Sequence, residues 1–552
     1  MENYNLVKVF EQSILQHWDL PALSDYKGST LTYGMVGEKI IKLHYCFEHC
    51  GLKQGDKVAL IAKNSSNWAI AYLATITYGA TIVPILTDFH ADTVNHIINH
   101  SDAQLLFVGE NSWPSIKPVQ LEQVKAIVNL SDYSILFEKD EYNIKQRKHL
   151  AEEEFFDKYP NGVKKEDFVL PTVLNSNLGV ISYTSGTTGN SKGVMLPLQS
   201  LMDNVEFAWN NMPLQAEDKL LSILPLAHAY GCAFEFVWPF TIGVHVTFLG
   251  KVVSPQIMIQ AFQEIKPKLL LMVPLIMEKI YKKQLQPVLS KTSMRVLLYI
   301  PIVNNLIYKK IKAKLSAVFG GDFREVVIGG AALNKEVELF LRKIGFNFSV
   351  GYGMTECGPL ISYANWDKAQ LGSCGKLVDS LQLMIDSPDQ QNIPGEILVK
   401  GSNVMLGYYK NEKETKKVLD DEGWLHTGDL GVIDKSGYIS IRGRSKSMIL
   451  GPSGENIYPE EIESKLNNFP YVQEQLVINE NNRLVALVFP DKVKMEQEQI
   501  NDEQLAQIME ENKKLLNAQL PKYMQISKIK LQDEEFEKTP KQSIKRFRYD
   551  KN

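Results

Sequence analysis

The sequence predicts an α/β protein of at least two domains, the larger one first. Through roughly the first 330 residues, short β-like runs alternate with helix-like stretches. After about residue 375 the character changes to shorter strands and tight turns, and the last hundred residues or so read as a separate small α+β unit. At 552 residues the chain also exceeds what one compact core ordinarily organises.

KVALIA (57–62) reads as a buried strand and NWAIAYLATITYG (67–79) follows with helical spacing. TIVPI (81–85) is a strand, ADTVNHIINH (91–100) a helix and QLLFVG (104–109) a strand. This rhythm belongs to parallel α/β units with helices on both sheet faces. A charged stretch near 137–167 reads as irregular. The pattern then resumes with GVISYT (179–184), KLLSILP (219–225), VHVTFL (244–249), KLLLMVP (268–274) and REVVIGG (324–330). Further on, LQLMID, GEILVKG and GVIDKSGYISIRGR are strands, with SGY as a hairpin turn. PEEIESKL (459–466) is a helix with proline near its start, and EQLAQIMEENKKLLNAQL (503–520) is an amphipathic helix. VQEQLVI and RLVALVFP between them read as strands. The boundary falls near Gly443–Lys446, dividing 1–443 from 447–552.

Hydrophobic residues at 44% and charged residues at 22% fit a soluble globular chain. A net charge of −4 gives no global pull toward nucleic acid. Five cysteines (Cys46, Cys50, Cys232, Cys357 and Cys374) are too few and too odd in number for a disulfide framework, and they suit a reducing compartment. The N-terminal segment lacks a basic-then-apolar signal pattern. The longest apolar runs, LLLMVPLIM (269–277) and VLLYIPIV (296–303), fall short of the roughly 20 residues that span a bilayer. A cytoplasmic enzyme is therefore expected. His44, Cys46, His49 and Cys50 have spacings that suit zinc, but they lie in a helix-like stretch and read as packing residues.

The strongest chemical signal is YTSGTTGNSKG, Tyr183 to Gly193. It gathers the hydroxyls of Thr184, Ser185, Thr187 and Thr188, the glycines Gly186, Gly189 and Gly193, and Lys192. Glycines let backbone N–H groups approach an anion, hydroxyls donate to phosphate oxygens, and lysine adds a mobile positive charge. A polyphosphate is the natural guest. The string is not a Walker loop, because Asn190 and Ser191 separate Gly189 from Lys192.

This loop resembles the signature of the adenylate-forming superfamily, and other elements follow in that family's order. They are LTYGMVGEKI (31–40), GLKQGDKVAL (51–60), GATIVP (79–84), LPLAHAYG (224–231), VIGGAAL (327–333), VGYGMTECGP (350–359), GWLHTGDLG (423–431) and GRSKSMILGPSGENIYPEEIE (443–463). The resemblance implies a large N-terminal AMP-binding domain of stacked mixed and parallel sheets with a β-subdomain, and a small mobile C-terminal domain. It also implies residue roles. Gly330, Ala331 and Ala332 lie against adenine, and Tyr352, Gly353, Met354 and Thr355 contact the nucleotide. Asp429 and Arg444 hold the ribose, and Glu356 with Thr184 binds Mg²⁺. Lys446 is the hinge, Ser453, Gly454, Glu455 and Asn456 face the thiol, and His228 sits beside the acyl group. The substrates implied are ATP, a carboxylic acid and CoA or an acyl carrier protein. LPLAHAYG and SGENIYPEEIE look most like long-chain fatty acyl-CoA synthetases.

One departure bears on mechanism. The family ends on a "TPxGKIxR"-like motif whose lysine bridges the carboxylate and α-phosphate, whereas EKTPKQSIKRF (537–547) places Ser543 there. Lys541 and Lys545 are the candidate replacements; an adenylation-deficient nucleotide-binding protein is the alternative. A smaller departure is Ser191, where the family usually has proline. Residues 281–315 carry eight basic residues and no acidic one around VLLYIPIV. That composition suits an anionic membrane surface, or a solvated basic helix beside a buried one.

Overall fold

Buried β-branched runs assemble into two large sheets that share one core. The computed structural model describes residues 4–184, 191–250, 255–289, 291–450, 456–481, 483–539 and 544–550. The first sheet orders its strands as 407–408, 192–197, 178–184, 81–85, 57–61, 103–108, 126–129 and 135–138. Its centre is parallel, and the pairs at either edge are antiparallel. The second orders 348–350, 325–328, 269–272, 219–222, 245–248, 21–25 and 30–32, parallel except for its last pair.

Helix Ser66–Tyr78 lies in the seam between them. The Ser65 side chain caps it by accepting from the Trp68 N–H at 3.1 Å, and Gly79 ends it at φ +91°. Its residues from Ser66 to Thr77 are buried almost all round, Asn67 excepted, which explains why its sequence reads as nearly uniformly apolar. Trp68 and Tyr72 meet Phe236 from the second sheet's helical layer at ring-centroid distances of 6.3 and 5.7 Å. Truncating a side chain such as Trp68 would cost about 3–5 kcal/mol.

Beyond the two sheets, strands 381–386, 395–401, 425–433 and 439–444 form an antiparallel β-subdomain. After Ser445–Ser447 the chain builds a separate sheet from 472–480, 483–490 and 528–531. Helices Pro459–Leu466 and Asp502–Asn517 pack on it through their own apolar cluster, which includes Ile462, Leu466, Leu505 and Met509.

Two sequence expectations need correction. The stretch near 137–167 contains a 15-residue helix, Ile144–Lys158. Only Ile144, Ala151 and Phe155 are buried in it, a stripe too narrow to stand out among its charges. VLLYIPIV is not a buried partner of a basic helix. It turns the corner between helices Thr292–Leu298 and Pro301–Val318, with Tyr299 88% and Ile302 78% exposed. The structure also gives the histidines near Cys46 ordinary partners. His44 bonds the Ala74 carbonyl at 3.0 Å and His49 bonds Glu154 at 2.8 Å. Burial pushes the Cys46 and Cys50 thiols up to about 12 and about 11. Among the described residues no cluster of His, Cys, Asp and Glu is arranged to hold a metal ion.

Candidate active site

The glycine-rich segment is flanked by two paired strands. Strands Leu178–Thr184 and Lys192–Pro197 pair antiparallel with Thr184 directly opposite Lys192. The pairing thus sets Thr184 and Lys192 at the open end of the ladder. Ser185, Gly186, Thr187, Thr188 and Gly189 lie outside the described residues. Ser191 has a buried hydroxyl with no hydrogen-bond partner among the described residues. The strand pair is braced by the Tyr183 hydroxyl, 2.7 Å from His100 Nδ1.

Strand Glu325–Ile328 of the second sheet ends in Gly329, and Gly330, Ala331 and Ala332 follow as an exposed turn with Gly330 at φ +86°. Small residues there leave an open face. Two strands further in chain order, the GYGMTE motif places Tyr352 and Gly353 on a short strand, then Thr355–Cys357 in one 3₁₀ turn. A Cβ at Gly353 would meet the Pro359 carbonyl oxygen at 2.1 Å, so glycine is required by the close strand approach. Thr355 is buried, Met354 and Glu356 are half-buried, and Gly353 is exposed.

Three motifs converge on Asp429. Its register partner across the β-subdomain ladder is Arg444, whose Nε lies 2.9 Å from Asp429 Oδ1. The Tyr352 hydroxyl donates to Oδ2 at 2.7 Å. The Asp429 side chain is 5% exposed and that of Arg444 57%. Burial raises the carboxyl pKa, with the guanidinium opposing. Each carboxylate oxygen keeps a second lone-pair site, so both can still accept from vicinal hydroxyls.

Glu356 Oε1 accepts from the Tyr408 hydroxyl at 2.9 Å. A half-buried carboxylate with remaining acceptor capacity suits Mg²⁺, which commonly takes one or two carboxylates together with substrate phosphates.

The LPLAHAYG element turns into the helical run that starts at Ala229, with His228 half-buried at its N-cap. A Cβ at Gly231 would meet the Pro225 carbonyl oxygen at 2.9 Å, which accounts for the glycine. Sequence reasoning missed Glu235. Fully buried in a π-turn, it accepts from Ser222 Oγ at 2.9 Å and from the N–H groups of Ile223 and Leu224 at 3.0 and 2.9 Å. An acid flanked by four aromatics in AFEFVWPF was the available signal. Also missed was the segment YYKNEKET, whose Tyr408 and Glu414 touch Glu356 and Lys192.

In the C-terminal domain, Lys446 is exposed in its 3₁₀ turn. Ser453, Gly454, Glu455 and Lys541 lie outside the described residues, and Asn456 opens the short strand 456–457. Lys545 lies 3.3 Å from Glu537. Lys538 and Ile544 are bridged antiparallel.

A strand pair that sets Lys192 opposite Thr184, an open small-residue turn and a buried carboxylate with an arginine across the ladder lie on an α/β fold. The AMP-binding enzyme family matches residues 10–409, and the AMP-binding enzyme C-terminal domain matches residues 446–552. The chain therefore belongs to the AMP-binding enzymes, the adenylate-forming acid–CoA ligases. Long chain acyl-CoA synthetase 3 of Arabidopsis thaliana is 27% identical over 505 residues, covering 84% of this chain and 74% of that protein. The long-chain-fatty-acid–[acyl-carrier-protein] ligase AEE15 of the same plant is 26% identical, covering 85% and 73%. ATP-bound MatB from Rhodopseudomonas palustris has the same fold, with a TM-score of 0.76 at 21% identity over 98% of both chains. So has the anthranilate CoA ligase AuaEII with anthranoyl-AMP, at 0.76 and 19% identity over 99% of this chain and 96% of that one.

Proposed function

We propose that the protein joins a fatty acid to coenzyme A in two steps at one site. The acid's carboxylate attacks the α-phosphorus of ATP in line, the bond to the bridging oxygen breaks, and pyrophosphate leaves. The thiol sulfur then attacks the acyl carbon of the acyl-adenylate, its proton goes to solvent or a nearby base, and AMP departs. The loop hydroxyls and Lys192 grip the triphosphate, Gly330–Ala332 and Tyr352 receive adenine, and Asp429 with Arg444 holds the ribose. Glu356 and Thr184 would hold Mg²⁺, which supplies charge stabilisation for the phosphates. His228 stands beside the acyl group. The small domain, 447–552, turns about 444–446 between the two steps and brings loop 453–456 to the thiol.

The observation that carries this reading is the convergence of three separate motifs on Asp429, which lies 2.9 Å from Arg444 Nε and 2.7 Å from the Tyr352 hydroxyl. The long-chain acid is supported by relatives named long-chain acyl-CoA synthetases. A carrier-protein acceptor is a second reading, supported by the acyl-carrier-protein ligase among the relatives. The free cysteines fit a reducing, cytoplasmic setting. The exposed corner at 296–306 supports peripheral contact with a lipid surface that holds the acid.

Exchange of labelled pyrophosphate into ATP, run with acids from acetate to stearate and with aryl acids, tests the assignment. Long-chain acids should drive exchange most strongly, and adding CoA should yield acyl-CoA and AMP. A protein that neither binds ATP nor exchanges pyrophosphate with any of these acids is not a ligase.

A further inference from the structure

Segment 405–415 straps two of the motifs together, although no motif assigns it a role. Its backbone anchors both sides. The Met405 N–H donates to the Glu356 carbonyl at 2.9 Å, and the Tyr409 N–H to the Gly193 carbonyl at 2.7 Å. Gly407 and Tyr408 pair antiparallel with Met195 and Val194, on the strand that Lys192 opens. The side chains then converge on that lysine. Lys192 Nζ donates to Glu414 Oε2 at 2.5 Å and lies 4.9 Å from the centroid of the Tyr408 ring. Glu414 is itself held, because the Asn411 side chain accepts from its N–H at 3.2 Å and Lys417 donates to its other oxygen.

We propose that Glu414, with the Tyr408 ring, is the positioning residue for Lys192, aiming its ammonium at the outer phosphates of bound ATP. An ammonium has three donors on a flexible four-carbon stem. One donor is committed to Glu414 and one face to the aromatic ring, which leaves donor capacity for a phosphate oxygen while fixing the stem. Glu414 serves Lys417 as well as Lys192. Two ammonium groups against one carboxylate keep the cluster net positive, so the counter-ion orients the lysine without cancelling its charge. The alternative role, a counter-ion that merely competes with ATP, predicts the opposite sign.

This inference rests on the reading of Lys192 as a phosphate-binding group, and the test separates the two. Equilibrium binding of ATP and of AMP to the full-length protein is measured for wild type, Lys192→Ala, Glu414→Gln and Glu414→Asp. AMP lacks the outer phosphates and serves as the internal control. Glu414→Gln should weaken ATP about five- to tenfold and leave AMP unchanged, with Glu414→Asp recovering part of the loss. In pyrophosphate exchange the same variant should raise the KM for ATP with little change in kcat. If Lys192→Ala leaves ATP binding intact, the phosphate reading of Lys192 falls and the inference with it. If Lys192→Ala weakens ATP but Glu414→Gln does not, or weakens ATP and AMP alike, or tightens ATP, the positioning role is overturned.

Discussion

Glu235 has no exposed surface, and three donors converge on its Oε2 while Oε1 has no hydrogen-bond partner among the described residues. Desolvation raises its pKa well above the ordinary glutamate value, and the three hydrogen bonds oppose that shift. The sign of its effect on stability follows from linkage. A carboxyl with a raised folded-state pKa binds more protons folded than unfolded, so stability falls as pH rises from about 4.5 toward the folded value. Glu235→Gln removes that titration. The melting temperature of the variant, minus that of wild type, should therefore grow from pH 5 to pH 8; thermal melts in which the difference stays flat would show that Glu235 does not titrate in this way. The residue also explains a motif. By capping Ser222, Ile223 and Leu224 it holds the turn that delivers His228.

At the scale of elements, the pairings on either side of the bridge between Lys538 and Ile544 bear on which lysine would serve adenylation. Lys545 sits next to the bridged residue Ile544 and is drawn to Glu537, while Arg546 is committed to half-buried Glu463 at 2.6 Å and to the Val477 carbonyl at 2.7 Å. These pairings favour Lys541 as the replacement at the position where Ser543 stands. Lys541→Ala should slow acid-dependent pyrophosphate exchange about a hundredfold or more, the scale of losing one preorganised charge-stabilising donor. Transfer from preformed acyl-adenylate to CoA should continue unchanged, and Lys545→Ala should behave as wild type. If neither alanine variant alters exchange, neither lysine takes the role.

At the scale of the whole molecule, charge is distributed unevenly. The net charge is −4, yet residues 279–321 carry nine basic side chains and no acidic one. Val296, Leu297, Tyr299, Ile300, Ile302 and Leu306 are exposed at the corner of that segment. No helix among the described residues is long and apolar enough to cross a membrane. An exposed apolar corner in a lysine-rich segment instead suits insertion at an interface, each lysine near an anionic surface contributing about 1 kcal/mol. Co-sedimentation with anionic liposomes should be strong at low salt and fall at high salt, and Tyr299→Ser with Ile302→Ser should weaken it. Equal recovery with neutral vesicles, or none with anionic ones, would remove the membrane from the account.

How much of this was legible beforehand depended on range. Strand and helix runs, the hairpin turn, and the pairing of Asp429 with Arg444 in one site follow from local patterning and from motifs whose residue types are fixed by phosphate and ribose chemistry. The helix at 144–158 was hidden because three apolar contacts suffice to dock it. Strand 21–25 pairs with 245–248, and Tyr408 reaches Glu356, only because the chain closes loops of tens to hundreds of residues. Sequence by itself thus determined the chemistry on offer, since side-chain type and short spacing decide which groups can grip an anion. Tertiary structure alone decided that Glu414 and Tyr408 flank Lys192, that Glu235 is buried, and that VLLYIPIV is exposed. Burial and long-range contact depend on which surfaces pack together, which no local window contains.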